Sequence, residues 1–252
     1  MSVAAFEHDG LAIRYPVPRW SPSWAVPEIP VPESRLHDQA IEYLRALLLA
    51  WIERSKSQAD VLRNIGIRWV RSEPRAGFDP DLCLIDPAPD PDEELASLRL
   101  WEAGIAVPRL AIEIVSPGHP YKDYIDTPER AAACGIGELW VYDPLLAGPR
   151  QHGGPYLLQV WRREQRSFER VHAGDGPAYS RELYAWLHPV ASRRAADARL
   201  RISDDAGGEL PWPTLLDQRD QQAERQQKEA ERRAEAAERE LLELRKKLGP
   251  AE

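Results

Sequence analysis

The spacing of hydrophobic positions changes along the chain between helical and extended patterns, and it predicts a layered α/β domain. After Ser34, apolar residues recur every three or four positions, which predicts a first amphipathic helix of about five turns. These positions are Leu36, Ala40, Leu44, Leu47, Leu48, Trp51 and Ile52. Apolar runs at 59–70, 81–86, 110–115 and 138–143 then predict strands, and the last three runs are apolar on both faces.

A short helix is predicted between the last two of these strands. Thr127 is a typical N-cap and Gly135 fits a C-terminal cap, so the helix should cover Pro128–Cys134. A helix between two buried strands indicates a crossover with at least partly parallel pairing. Further along, Tyr156–Arg163 and Ser167–Val171 predict a more exposed hairpin.

Changes in composition divide the chain into three parts. Residues 1–32 are rich in proline and tryptophan, which favours an extended arm lying on the body. Residues 33–212 carry the α/β pattern, with a solvent-exposed insertion predicted at 87–107. Residues 213–252 are dominated by charged residues, glutamine and alanine, which predicts a long charged helix.

The C-terminal helix carries a heptad pattern. Its apolar positions alternate by four and three residues. They are Ala230, Ala234, Ala237, Leu241, Leu244 and Leu248. Two interpretations stay open: a single solvated helix, or a coiled coil that pairs two copies of the chain through residues 216–248. Alanine in the seam would make such a coiled coil weak.

Composition narrows the class of protein. The longest apolar run, Ala46–Ile52, is too short to span a bilayer, so we expect no membrane association. The net charge of −8 argues against tight non-specific binding of nucleic acid, although it leaves room for a local basic patch. Cys83 and Cys134 lie in apolar stretches, which indicates reduced core thiols. The N-terminus lacks a basic segment followed by an apolar run, so we expect no signal peptide and a cytoplasmic protein.

One charge interrupts the strand at 110–115. Glu113 stands between apolar residues, and an unpaired carboxylate in a buried strand needs a metal, a cation or a raised pKa. Asp81 begins the preceding apolar strand. Two carboxylates on adjacent strands suit a hard divalent cation such as Mg²⁺. The alternative is that both are solvated carboxylates at strand ends.

Three blocks of sequence occur in a characteristic order. They are Pro80-Asp-Leu-Cys-Leu-Ile85, Leu110-Ala-Ile-Glu-Ile-Val-Ser-Pro117 and Ala133-Cys-Gly-Ile-Gly-Glu-Leu-Trp-Val-Tyr-Asp-Pro144. Together they resemble the Uma2 family, the DUF820-type branch of the PD-(D/E)XK restriction-endonuclease-like superfamily, over about residues 33–205.

The resemblance implies a fold, a reaction and a metal site. The fold is an αβββαβ core with a mixed sheet, and the charged helical tail is also common in the family. The reaction is hydrolysis of DNA phosphodiesters by a water activated by Mg²⁺ or Mn²⁺. By position, Asp81 is the first metal ligand and Glu113 the second.

The lysine that completes the superfamily's site is missing from both expected positions. The superfamily pattern places it two residues after Glu113, where this chain has Val115. Many relatives in this branch carry it eight residues before the glycine matched by Gly135, where this chain has Thr127. The nearest lysine is Lys122, in the loop before the short helix. Either Lys122 reaches back to the site, or it is a solvated loop lysine.

Four further polar residues lie near these elements. Relatives often have an acidic residue and a histidine at the start of the first helix, matched here by Glu33 and His37 on one helix face. The alternative is that Glu33 interacts with the helix dipole and His37 is a surface residue. Asp123 and Asp126, beside Lys122, are interpreted as loop and capping residues.

Two functions follow from these observations. The leading hypothesis is a Mg²⁺-dependent DNA endonuclease whose candidate site residues are Asp81, Glu113, Lys122, Glu33 and His37. The alternative is a catalytically degenerate nuclease fold that acts as an interaction module through its C-terminal helix. Convergence of Asp81, Glu113 and Lys122 on one open cavity would favour the enzyme, whereas a filled or salt-bridged cluster would favour the interaction module.

Overall fold

A seven-stranded mixed sheet is the central feature of the computed structural model. The residues that the structure describes are 14–16, 34–90, 95–165, 167–190, 199–209 and 211–248. Contacts divide the chain into two units, residues 1–212 and 213–252. The sheet belongs to the first unit.

The strands of the large sheet follow one another from edge to edge in a mixed order. They are β1 (Arg14–Pro16), β10 (Ser167–Gly174), β9 (Leu158–Glu164), β8 (Glu138–Tyr142), β7 (Leu110–Ile114), β5 (Leu82–Ile85) and β2 (Asp60–Arg63). Strands β7 and β8 pair in parallel, and the other described neighbours pair antiparallel. The parallel connection passes through helix α2 (Thr127–Cys134), which ends at Gly135 with φ of 101°. The predicted crossover and the predicted hairpin of β9 and β10 are therefore confirmed.

Helix α1 (Arg35–Ser55) precedes the sheet in the chain. The Ser34 hydroxyl accepts a hydrogen bond from the His37 amide at 3.2 Å and caps the helix. Four of the predicted positions are buried: Leu44, Leu47, Leu48 and Trp51. The rest of the predicted face was wrong, because Leu36 is exposed, Ala40 and Ile52 are half-buried, and Ile41 and Tyr43 are buried in their place. In chain order, α1, β2, β5, β7, α2 and β8 form the αβββαβ core, so the predicted fold class is confirmed.

Two small sheets accompany this core, one built from segments between its strands and one from segments that follow it. The first contains β3 (Gly66–Arg68), β4 (Gly77–Phe78) and β6 (Ser97–Arg99), and the second contains β11 (Ala178–Ser180), β12 (Ala185–Val190) and β13 (Arg199–Ser203).

Two predictions about this region were wrong. The single strand expected at 59–70 is split between β2 and β3, which lie in different sheets, because Asn64 turns the chain with a φ of 50°. The insertion at 87–107 is not wholly exposed, since its strand β6 pairs with β3 and Leu98 is fully buried.

The two ends of the chain are described to different extents. In the predicted arm, β1 pairs antiparallel with β10, while residues 1–13 and 17–32 lie outside the described residues. At the other end, α3 (Leu215–Leu248) confirms the predicted long helix, and its pairing into a coiled coil stays a prediction. None of the described helices combines the length and the apolar character that crossing a membrane requires.

The core thiols give a first testable prediction. Cys83 and Cys134 are free and buried, and burial raises the pKa of each thiol to about 12. At pH 8 only about one thiol in ten thousand is then ionised, and we expect neither to react with a disulfide reagent in the folded protein. After unfolding in guanidinium chloride both should react. Release of thionitrobenzoate measures this, and one fast-reacting thiol in the native protein would contradict it.

Candidate active site

The pairing of β5 with β7 brings the two predicted metal ligands to adjacent positions. Leu82 pairs with Ile112 in antiparallel register. The residue before Leu82, Asp81, therefore lies opposite the residue after Ile112, Glu113. The Ile114 amide donates a hydrogen bond of 2.6 Å to Asp81 Oδ2. The backbone of β7 therefore holds the carboxylate of Asp81 beside the position of Glu113.

Glu113 is buried, and one of its two carboxylate oxygens is hydrogen-bonded to Lys122. The residue is 3% exposed, and its Oε1 accepts a hydrogen bond from Lys122 Nζ at 2.8 Å. Its other oxygen, Oε2, is buried and accepts no hydrogen bond from an amine, amide or hydroxyl group of the described residues, but the Glu113 and Asp123 carboxyl groups are close enough to share a proton. Burial raises the pKa of Glu113 well above its usual range; Lys122 opposes this rise, whereas Asp81 and Asp123 add to it. The site therefore holds more negative charge than its lysine offsets.

Lys122 reaches Glu113 from a π-helical turn, Lys122–Asp126, that leads directly into α2. The prediction that it lies in a loop was wrong, because an extra residue in the turn lets the Thr127 amide bond to the Lys122 carbonyl. The Lys122 side chain is 49% exposed, and the Glu113 carboxylate raises its pKa. Its ammonium thus stays charged while it touches both solvent and the buried carboxylate.

A buried carboxylate outside the turn holds the π-helical turn in place. The Tyr124 hydroxyl donates to Asp143 Oδ2 at 3.1 Å and accepts from the Tyr156 amide at 2.9 Å. Asp143 also accepts from the amides of Ala147 and Gly148. A side chain at position 148 would overlap the Tyr124 ring, which requires glycine there. This network fixes Tyr124, and with it the neighbouring Lys122.

Asp123 is a further member of the cluster, and its interpretation as a loop residue was wrong. The residue is 2% exposed, its Oδ2 accepts from the Ser116 amide at 3.1 Å, and its Oδ1 lies 3.9 Å from Lys122 Nζ. Burial raises the pKa of Asp123 to about 6, against the opposing effect of Lys122. The π-helical turn directs this side chain inward, and the local sequence pattern carried no signal of that turn.

The capping predictions near the turn were also wrong in part. Asp126 occupies the N-cap position of α2, but its side chain makes no capping hydrogen bond. Thr127, predicted as the N-cap, is the first residue of the helix and is fully buried.

Of the two residues predicted near the site at the start of α1, the structure describes His37 but not Glu33. His37 Nε2 lies 3.0 Å from Asp81 Oδ1, and the His37 side chain is 11% exposed. The interpretation of His37 as a surface residue was therefore wrong, since it contacts the first carboxylate directly. Glu33 lies outside the described residues.

The candidate site offers few protein ligands for a metal ion. Among the described residues, no group of three or more histidine, cysteine or acidic side chains has the geometry of a metal site. Mg²⁺ commonly binds through one or two carboxylates and fills its remaining positions with water and substrate phosphate. Asp81 and Glu113, through its buried Oε2, provide two such carboxylates.

The contact between Lys122 and Glu113 gives a second prediction. In metal-free protein at pH 8, Lys122→Met should lower the free energy of unfolding by about 1–2 kcal/mol, less than for a fully buried pair because the lysine is half exposed. Loss of Lys122 raises the pKa of Glu113 further. The Glu113 carboxyl of the folded protein is protonated by pH 4.5, the usual pKa of glutamate, because burial raises its own pKa above that value. The loss of stability caused by Lys122→Met should therefore become smaller as the pH is lowered from 8 to 4.5.

Urea denaturation in the presence of EDTA measures this effect, and Glu113→Gln provides the matched background. Lys122→Met should cost less in a Glu113→Gln protein, because only the weaker contact with Asp123, 3.9 Å from the ammonium, is then lost. Equal costs in the two backgrounds, or no cost at pH 8, would show that the lysine does not stabilise the carboxylate.

Comparison with known proteins places the chain in a family. The sequence matches the model of the Uma2 family, described as "putative restriction endonuclease", over residues 26–185. No curated protein sequence matches the chain. A similar solved structure is that of a "putative nuclease belonging to DUF820" from Anabaena variabilis ATCC 29413, with 15% identity, a TM-score of 0.39 and coverage of 61% of this chain and 76% of that chain. Because the family match spans more than half of the 252 residues, this protein is a member of the Uma2 family.

Proposed function

We propose that the protein is a Mg²⁺-dependent endonuclease that hydrolyses phosphodiester bonds in DNA. The observation that supports this most directly is the state of Glu113, whose Oε1 is bonded to Lys122 while its buried Oε2 accepts no hydrogen bond from an amine, amide or hydroxyl group of the described residues. Membership of a family described as "putative restriction endonuclease" supports DNA as the substrate. Mn²⁺ is expected to substitute for Mg²⁺, because it also favours carboxylate and water ligands.

Each side chain of the site has a distinct task in this proposal. Asp81 and Glu113 would hold the metal, which supplies a bound water of lowered pKa and neutralises charge that develops on the phosphate. Lys122 donates one hydrogen bond to Glu113 and keeps two N–H donors for a phosphate oxygen or the attacking water. His37 orients Asp81 through the contact at Oδ1, so we regard it as a positioning residue.

The net charge of −8 restricts how DNA would approach. An acidic protein gains little from long-range attraction to phosphate, so affinity should depend on contacts close to the site. The half-exposed ammonium of Lys122 is one such contact. We therefore expect modest affinity in the absence of the metal and a marked gain when it binds.

The alternative function is a degenerate nuclease fold that acts through its C-terminal helix. Its motivation was the absence of lysine at positions 115 and 127. The contact between Lys122 and Glu113 weakens that motivation, because an ammonium reaches the carboxylate from another position. The same salt bridge also supports the alternative, because a carboxylate cluster that is already paired is what a degenerate site would contain. Metal binding and cleavage separate the two hypotheses.

Metal binding provides a third prediction. Wild-type protein should bind Mn²⁺, observed as loss of the free-ion signal in electron paramagnetic resonance and competed by Mg²⁺. Asp81→Asn and Glu113→Gln should each abolish most of this binding, and His37→Ala should weaken it by about 10–100-fold, as for other residues that orient a ligand. Glu102→Gln changes an exposed carboxylate and is the matched control. Unchanged Mn²⁺ binding by Glu113→Gln would exclude this metal site.

Cleavage of DNA provides a fourth prediction. With Mg²⁺, the wild-type protein should nick or cut supercoiled plasmid, whereas Asp81→Asn, Glu113→Gln and Lys122→Met should each lose at least about 100-fold in rate. Lys228→Met, which removes an exposed lysine of α3, should cleave at the wild-type rate. Gel electrophoresis over time measures the rates. Equal cleavage by wild type and all three site variants would indicate a contaminating nuclease, and absence of cleavage with any divalent metal would favour the degenerate fold.

A further inference from the structure

The helix α3 is long and continuous, and its described central part is exposed. It spans 34 residues, or about 51 Å, and every side chain from 221 to 239 is exposed. Its apolar stripe contains Ala223, Ala230, Ala234 and Ala237, and the sequence continues the same spacing with Leu241, Leu244 and Leu248. In heptad notation Gln227, Ala234 and Leu241 are a positions, and Ala230, Ala237 and Leu244 are d positions.

Charges beside this stripe are arranged for a parallel partner with the same sequence. In a parallel, in-register pair, each g residue faces the e residue five positions later on the other helix. The g residues Arg219 and Arg233 would face Glu224 and Glu238 of a second copy, so both pairs are attractive. Further along the sequence, the g residue Glu240 would face the e residue Arg245 of the second copy, which is also an attractive pair.

An antiparallel pair of the same helices would place like charges together. In that arrangement e residues face e residues and g residues face g residues. The e positions of the central heptads are Glu224, Glu231 and Glu238, all acidic, so they would repel one another. The e and g charges therefore favour the parallel orientation. Asp220, at an a position, would face its own copy in that orientation and weakens the first heptad.

We propose that α3 pairs with the α3 of a second copy as a parallel, in-register two-stranded coiled coil, so that the protein is a homodimer. The charge pattern supplies orientation and register, and the leucine end of the seam supplies most of the apolar contact. Gln227 places a polar residue at an a position, a feature that specifies register at some cost in stability. Each chain enters the helix at its N-terminal end, so a parallel pair joins the two bodies to the same end of the coiled coil.

Charge reversal on the full-length protein tests this arrangement. Sedimentation equilibrium should give wild type twice the chain mass of 28.6 kDa. Arg233→Glu creates repulsion with Glu238 of the second copy, and Glu238→Arg creates repulsion with Arg233; each should weaken dimerisation by about tenfold or more. An equimolar mixture of the two variants should dimerise again, because both contacts become attractive. Arg232→Glu makes the same charge change at an f position, away from the seam, and should leave the dimer intact.

A cysteine introduced in the seam tests the orientation separately. Ala237→Cys should form a disulfide between two copies under mild oxidation, because identical d positions face each other in a parallel pair, whereas Arg239→Cys at an f position should not. The native Cys83 and Cys134 are buried and do not compete. A wild-type mass of one chain at tens of micromolar, failure of the mixed variants to pair, or equal crosslinking at positions 237 and 239 would each overturn the proposal.

Discussion

The burial of one carboxylate within the sheet is the constraint on which the candidate site depends. Taking an ionised carboxylate out of water costs several kcal/mol even after the protein relaxes. Lys122 offsets part of this cost at Glu113 Oε1, but the charges of Asp81 and Asp123 act on the same group and increase it. Three carboxyl groups thus share one bonded ammonium. Such a cluster is stable when it keeps a proton or gains a cation, and a divalent metal would be the cation under the proposed function.

Two features of the fold create this cluster, and they act over different distances in the sequence. The antiparallel register of β5 and β7 joins Asp81 to Glu113 across the insertion between the strands. The π-helical turn then returns Lys122 and Asp123 to the end of β7, held by the hydrogen bonds of Tyr124 with Asp143. A one-residue shift of the register would turn Asp81 to the opposite face of the sheet, so the precision of the site rests on strand pairing rather than on loop structure.

Sequence patterns predicted the elements whose signals are local. Helical spacing identified α1 and α3, and apolar runs identified β5, β7 and β8. The crossover followed from the helix between two buried strands. The Asp81 and Glu113 carboxylates could be selected because a charge in an apolar strand is expensive, and the family resemblance pointed to the same pair.

Features set by distant contacts could not be predicted in this way. Strand β3 pairs with β6, thirty or so residues later, and no local signal separates it from β2. The burial of Asp123 depends on a π-helical turn, whose one extra residue breaks the 3.6-residue period that sequence analysis uses. His37 looked like a surface residue because its partner, Asp81, belongs to a strand far away in the chain. In each case the missing information was the tertiary contact itself.

The position of the lysine bears on whether the site is degenerate. Val115 is 1% exposed and packs in the same apolar cluster as Cys83, Ala111 and Val141, so an ammonium there would have to be accommodated within the core. Lys122 brings an ammonium to the same carboxylate with half of its side chain still in water. A buried glutamate needs a cation whether or not it binds a metal, so the ion pair is compatible with an active site and with a degenerate one. What the turn provides is an ammonium at Glu113 that does not have to be buried in the core beside Val115.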